Sequence, residues 1–452
     1  MAPDPMEPIL IHNVKTVFEG NILHDSEILL QGGKIQGIGA PGFFRAGQFL
    51  NGNGFLILPG LIDPHVHFRD SGIPNVSQDR KEDFSTGTKA ALAGGFTTVL
   101  DMPNTVPPTA TLTDYKTKRD NAAKKAYCDF GLYALAGRDN LAQIPEMLPA
   151  GAVAVKLYMG QTTGSNLLAD ESLEEKFFEA SAAKDFLLAV HAEDQECLDE
   201  HELLHQKDRI PRHNQVRPPE CAVLAVKRAL EFQEKYRNRT YFCHVSTRAE
   251  IERIRAQKLR GFKAYVEVTP HHLFFDESEQ DRQSNRVKIN PPLRGNQDVS
   301  ALWQALNDGT ADTIGTDHSP HPLEEKRRDY WDCPSGFPEL ETALPLLVTA
   351  ALEERTTLQT IQRLCCSNPA RIFRLSGKGK LETGYDADLV FVDLKNEKPV
   401  DESTLFTRSG WSPYAGKRLK GWPVVVYLRG KKVFDRGHVF GPFGNEVKIN
   451  ET

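Results

Sequence analysis

The pattern of apolar and polar positions changes character twice along the chain. Residues 8 to 59 read as short β segments, "ILIHNVKTVF", "SEILLQGGKIQGIG" and "GQFLNGNGFLIL", in which β-branched and aromatic residues are punctuated by Gly and Asn. The same texture returns in "ADLVFVDL" (387 to 394) and "GWPVVVYLRGKKVFDRG" (421 to 437). The two ends are therefore expected to build one small β-sandwich domain, from 1–60 and 375–452. Between them, apolar runs alternate with helix-like stretches such as "ESLEEKFFEASAAK" (171 to 184), "PECAVLAVKRALEFQEKYRN" (219 to 238) and "TRAEIERIRAQKLRG" (247 to 261). Eight runs read as strands, around 61 to 67, 96 to 102, 129 to 135, 152 to 158, 186 to 191, 240 to 245, 264 to 268 and 312 to 317. Eight β–α repeats predict an α/β fold of the TIM (β/α)8 barrel type over 61–374, although a doubly wound sheet leaves a similar local signal.

Composition narrows the class without naming a reaction. Hydrophobic residues at 40% and charged ones at 26% are ordinary for a folded soluble domain, and a net charge of -6 is small for 452 residues. No Lys/Arg cluster exceeds short runs such as "KRR" at 326 to 328, so no nucleic-acid partner is expected. The start "MAPDPMEPILIHNVK" lacks a basic segment followed by an apolar one, and no stretch approaches a membrane span, so the chain is read as cytoplasmic with no membrane partner. Its seven cysteines show no paired spacing and no CxxC, which predicts neither a disulfide framework nor a thiolate zinc site.

The chemistry lies in where reactive residues fall against this pattern. "IDPHVHFRD" puts His65, His67 and Arg69 on one face at the end of the first central strand. Lys156 ends "AVAVK", His191 ends "FLLAVH", His244 ends "TYFCH", and Asp317 with His318 ends "DTIGTDH". Barrel enzymes carry their catalytic groups at these strand ends. Four histidines, an aspartate and a lysine there suit a binuclear site for a borderline metal such as Zn²⁺. An ammonium would repel a cation, but a neutral lysine can react with CO₂ to give a carbamate, a carboxylate able to bridge two metals. Singly, each residue also has a structural reading: the HxH pair as a surface or core pair, His191 or His244 as a buried structural histidine, Lys156 as a snorkelling side chain. Those readings must all hold together to remove the site.

At this point the motifs resemble a family. "PGLIDPHVHFRD", "MPNT" (102 to 105), "KLYMG" (156 to 160), "HAED" (191 to 194), "CHVST" (243 to 247), "TPHHL" (269 to 273), "NPPLR" (290 to 294), "TDHSPH" (316 to 321), "GFPELET" (336 to 342) and "GKLETGYDADLVFVDL" are similar to the dihydroorotases of the cyclic amidohydrolase superfamily. The resemblance implies one Zn²⁺ on His65, His67 and Asp317, a second on His191 and His244, and carbamylated Lys156 with a hydroxide bridging both. It implies that the hydroxide attacks the ring and that Asp317 takes its proton and returns it to the leaving nitrogen. In the reverse direction, carbamoyl aspartate closes to dihydroorotate with loss of water. It further implies that Arg69, Asn104 and His321 hold the substrate carboxylate, and that Asn290 and the backbone at Ser335 and Gly336 contact the ring. The Gly- and Thr-rich stretch "GQTTGSNLLAD" (160 to 170) reads either as a lid, with Thr162 or Thr163 touching substrate, or as an ordinary loop. A homo-oligomer, with a dimer favoured, and a transcarbamoylase partner are compatible with the resemblance.

Some positions depart from the family's usual pattern. The loop "DSGIPNVSQDR" before "KEDF" is longer than usual, Asp70 replaces the usual Glu, and Glu339 stands where Gly is common. These changes bear on pocket shape, not on the expected metal ligands. Allantoinase or hydantoinase activity is the alternative within the enzyme class, and a non-catalytic scaffold the alternative outside it. Arg69, "MPNT" and "DHSPH" argue against the former, and the full set of expected ligands against the latter.

Overall fold

A computed structural model describes residues 7–18, 20–76, 78–162 and 168–450. The eight central apolar runs all form strands: β1 (Leu61–Val66), β2 (Phe96–Asp101), β3 (Asp129–Leu132, resuming as Ala134–Leu135), β4 (Val155–Tyr158), β5 (Leu187–His191), β6 (Arg239–Phe242), β7 (Ala264–Val268) and β8 (Thr313–Ile314). Neighbours pair in parallel, β1–β2–β3 in one sheet and the second part of β3 through to β8 in another. The chain just past β8 returns to β1: Val66 and His318 form a parallel bridge, and the His67 N–H donates to the His318 carbonyl at 2.8 Å. Almost every residue of these strands is buried, which is why they read as continuous apolar runs rather than as alternation.

Several strands are shorter than the apolar runs that predicted them. The run 312 to 317 yields only two strand residues, and 240 to 245 ends at Phe242, because the backbone turns into the left-handed region at Asp317 (φ 50) and His244 (φ 36). Long helices separate or follow the strands, among them α1 (Phe84–Ala93), α2 (Leu112–Lys125), α3 (Glu171–Lys184), α4 (Pro219–Tyr236), α5 (Arg248–Leu259), α6 (Asn296–Asp308) and α7 (Leu340–Leu352). Side-chain oxygens of Asp83, Thr111, Asp170 and Thr247 accept N–H groups of the first turns of α1, α2, α3 and α5. α1 ends at Gly94 against α7, where any Cβ would lie 2.2 Å from the Leu340 carbonyl oxygen. None of the described helices is long and apolar enough to cross a membrane.

The two chain ends meet in one nine-stranded sheet. Strand Leu56–Pro59 pairs with Ile9–Phe18 on one side and runs antiparallel to Leu389–Asp393 on the other, with Leu58 opposite Val390. Ile11, Val14, Ile28, Ile57, Leu389 and Phe391 form its apolar centre. This sheet is tied to β3 by a buried charge cluster. Lys378 Nζ lies 2.6, 2.9 and 2.7 Å from carboxylate oxygens of Asp129, Asp386 and Asp388, and Arg429 also pairs with Asp129.

One expectation is corrected. Cys197 and Cys221 form a disulfide, whereas the spacing of the cysteines indicated none. The helix Gln195–His205 folds back on α4, and the Asp194 N–H donates to the Cys221 carbonyl, so residues 24 apart in sequence are brought within 5.4 Å between Cα atoms. That juxtaposition is tertiary and leaves no trace in spacing. The other five cysteines are buried thiols.

Candidate active site

The ligand-type residues converge at the C-terminal ends of the parallel strands. Nε2 of His65 lies 3.2 Å from Nε2 of His67, and Asp317 Oδ1 lies 3.4 and 3.0 Å from these nitrogens. Beside this group, His191 Nδ1 and His244 Nε2 are 2.9 Å apart, and the His244 ring centroid is 5.4 Å from that of His65. Lys156, fully buried, donates from Nζ to Cys243 Sγ at 2.8 Å. Two groups of donors, one from β1 and the β8 end, one from β5 and the β6 end, thus flank a buried lysine.

A layer of acids aims the imidazoles. Glu267 Oε1 accepts both the His65 Nδ1–H (2.7 Å) and the His244 backbone N–H (2.8 Å), while its Oε2 accepts the Tyr241 hydroxyl at 2.8 Å. Glu193 accepts the His191 Nε2–H at 2.9 Å and is held by Arg217. Asn104 Oδ1 accepts the His67 Nδ1–H at 2.6 Å. Asp63 accepts the backbone N–H groups of His65 and Thr316 at 3.0 and 3.1 Å, fixing β1 to the segment before Asp317. With one nitrogen each of His65, His67 and His191 committed outward, the other faces inward, the usual device for orienting metal-binding histidines.

The electrostatics suit a cation. Burial holds His67 down at about 4 and keeps His191 and His244 below the usual imidazole range, so these rings are neutral donors. Burial acts the same way on His65, but the carboxylates of Glu267 and Asp317 overcome it and raise the ring to about 10. Against its own burial, Asp317 is held below the carboxylate range by His65 and His67. His244 Nδ1 is buried with no hydrogen-bond partner among the described residues. An orphaned nitrogen, neutral imidazoles with converging lone pairs and a carboxylate kept ionised are the donor set of a borderline dication.

A second cluster lies beside the first. Arg69, two residues past His67 with φ 58, donates from Nη2 to Ser319 Oγ and lies 3.3 Å from His321 Nε2. His321 Nδ1 is in turn 3.1 Å from Glu325 and 3.2 Å from Lys81 Nζ. Asn290 Oδ1 accepts from Ser335 Oγ at 3.1 Å and from the buried His213 at 2.9 Å. The Gly336 N–H donates to the Lys288 carbonyl at 2.9 Å, and its φ of 121, with the Ser319 carbonyl 2.4 Å from any Cβ, excludes other residues there. A cavity of about 460 Å³ opens above, walled by Lys81, Thr162, Arg217, Lys288, Asn290 and Ser335 among others. The metal-type residues are not part of its wall; it reaches them through Arg217, which holds Glu193, and through Lys81, which touches His321. Thr163 lies outside the described residues.

Comparison with known proteins bears on the same set. The amidohydrolase family model matches residues 56–433. The chain belongs to the amidohydrolase family. This amidohydrolase is 37% identical over 424 residues to the dihydroorotase of Methanosarcina mazei, covering 91% of each chain. It is 35% identical to that of Pyrococcus abyssi over 445 residues, covering 98% of each. Among solved structures, the L-hydantoinase (dihydropyrimidinase) of Arthrobacter aurescens matches with a TM-score of 0.92 at 29% identity, covering 98% of this chain and all of that one.

In this amidohydrolase, the six residues singled out as metal ligands fall together, with Asn104 joined to them through His67, and Arg69 and His321 form an adjoining cluster. Reading the sequence missed the supports: Glu267, Glu193, Asp63, Arg217 and His213. Glu193 stood inside the quoted "HAED", but a strand acid such as Glu267 in "AYVEV" looks like any outward polar residue until the strand is known to be buried. The atypical loop reaches the cavity through Arg80, whereas the two atypical acids pair outside the ligand clusters. Asp70 pairs with Lys125 of α2 at 2.8 Å, and Glu339 binds His271 at 2.8 Å and the Tyr414 hydroxyl inside a buried network.

Proposed function

We propose that this amidohydrolase is a dihydroorotase, interconverting carbamoyl aspartate and dihydroorotate. The observation that carries the reading is Arg69: a buried guanidinium beside Ser319 and His321, two residues from a metal-type histidine, is built for a carboxylate that dihydrouracil and hydantoin lack. The higher identity to dihydroorotases than to hydantoinases supports it. We read the parallel strands as a closed (β/α)8 barrel spanning 61–374, with the terminal sheet, from 1–60 and 375–452, as a separate small β domain.

His65, His67 and Asp317 would hold one Zn²⁺, His191 and His244 a second, and a carbamate on Lys156 would join them. When bound, the two ions would supply hydroxide near neutral pH and polarise the ring amide carbonyl. Asp317, ionised and at the junction of the clusters, accepts the proton of the attacking water and passes it to the leaving nitrogen. Arg69, with Asn104 and His321, orients the ring through its carboxylate. Asn290, Ser335 and Gly336 contact the amide edge, with Thr162 in the wall of the same cavity as Asn290 and Ser335.

The test is a panel of dihydroorotate, dihydrouracil, hydantoin and allantoin followed by ring-opening absorbance, with metal content measured on the same sample. Dihydroorotate should be the preferred ring. Arg69→Met should lower kcat/KM for it by on the order of 100-fold, the worth of two charge-assisted hydrogen bonds, with metal content unchanged. Preference for hydantoin or dihydrouracil would instead favour the activity of the solved neighbours.

A further inference from the structure

His321 sits between two donors that cannot accept and one acceptor that cannot donate. On one side, Arg69 Nη2 faces Nε2 at 3.3 Å. On the other, Nδ1 is 3.2 Å from Lys81 Nζ and 3.1 Å from Glu325 Oε2, and Lys81 and Glu325 pair at 2.9 Å. A guanidinium has only N–H groups, so Nε2 must present its lone pair to Arg69. The ring proton is then on Nδ1 and goes to Glu325, while Lys81 spends its own proton on the same carboxylate. The ring is fully buried, and the backbone carbonyl of His321 accepts from Trp411 Nε1 at 2.9 Å, which fixes the main chain that carries it. Burial and the neighbouring cations Arg69, Lys81 and Lys326 keep it from holding both protons.

This tautomer is wrong for gripping an anion. A carboxylate docking on Arg69 would meet a lone pair at Nε2, whereas holding it requires Nε2–H. With the proton on Nε2, Nδ1 becomes an acceptor and needs a donor opposite, and Lys81 Nζ is already there. We propose that Lys81 and Glu325 form a tautomer switch for His321, Glu325 accepting from Nδ1 in the free enzyme and Lys81 donating to it once an acidic ring is bound. One proton is taken up from solvent at Nε2 and one returned from Nδ1 by way of Glu325, so the ring is neutral before and after the exchange. Both residues line the 460 Å³ cavity, which gives the exchange access to water. Lys81 is thus a positioning residue for carboxylate-bearing substrates. This rests on the dihydroorotase reading, which wild-type turnover tests separately.

The experiment uses the metal-loaded enzyme with ¹⁵N-labelled histidine, the His321 signals being assigned by their loss in His321→Asn. Its Nδ1 and Nε2 shifts should exchange character when an equilibrium mixture of carbamoyl aspartate and dihydroorotate is added. Lys81→Met should abolish that exchange and raise KM for dihydroorotate by roughly tenfold, the worth of one charge-assisted hydrogen bond, while kcat and metal content hold; Lys81→Arg should restore both. The same tautomer with and without substrate, or an unchanged KM in Lys81→Met, would overturn the switch. Failure of the wild type to open dihydroorotate would overturn the switch and the proposed function together.

Discussion

Lys156 is the residue whose chemistry most exceeds its type. As an ammonium it is buried at the junction of two imidazole groups with a thiol as its hydrogen-bond acceptor, a costly placement for a charge and a useless one for a cation site. As a carbamate the same side chain becomes an anionic arm between the groups. Lys156→Ala should therefore lose most bound zinc and activity together, and added acetate or propionate should restore part of both by occupying the vacated space as a loose carboxylate. Elemental analysis and turnover on the same samples check this; full zinc occupancy in the variant would remove the bridging role. At this scale the sequence was most informative, since every proposed ligand is a His, Asp or Lys at the end of an apolar run. It was least informative where one residue acts on another: nothing in "AYVEV" says that Glu267 aims His65, and nothing in "KEDF" says that Lys81 faces His321.

At the scale of elements, the parallel strands were legible because burial on both faces makes them uniformly apolar, and their ends were not, because Asp317 and His244 leave the sheet through left-handed backbone inside apolar-looking runs. The terminal strands were recognised by their β texture, but only pairing could show that Leu56–Pro59 joins the halves. α7 is held by its own first turn, where the Glu341 carboxylate accepts the N–H groups of Phe406 and Thr407 at 2.9 and 3.0 Å. Burial pushes Glu341 from 4.5 up to about 8. A group whose folded value exceeds its unfolded one favours the folded state fully below the unfolded value and loses that contribution as pH rises through the folded one. Glu341→Gln keeps an acceptor for both N–H groups and removes the titration. Its urea midpoint should exceed the wild type's above pH 8, and the excess should shrink as pH falls from about 8 toward 4.5 and level off below that. An excess independent of pH would place the effect elsewhere.

Across the whole molecule, the terminal sheet and the parallel strands are fastened by charge as well as by apolar contact. Lys378 is the common partner of three carboxylates, Asp129 and Asp388 buried and Asp386 half-buried, which hold its amine above the ordinary lysine value in spite of burial. Lys378→Met would leave Asp129 with Arg429, Asp386 with Lys34 and Asp388 with the Arg429 backbone N–H, and should cost about 3–5 kcal/mol, the usual penalty for breaking a buried ion pair. Thermal unfolding should show a lower Tm with zinc content per folded chain unchanged, because the cluster touches no ligand. The ligands themselves are joined in another way. One oxygen of Glu267 serves both the ring of His65 and the peptide that carries His244, so a single atom ties one member of each donor group. Whatever orders one group orders the other. Ions entering such a site would be taken up cooperatively, and the half-loaded protein would be the scarcest species in solution.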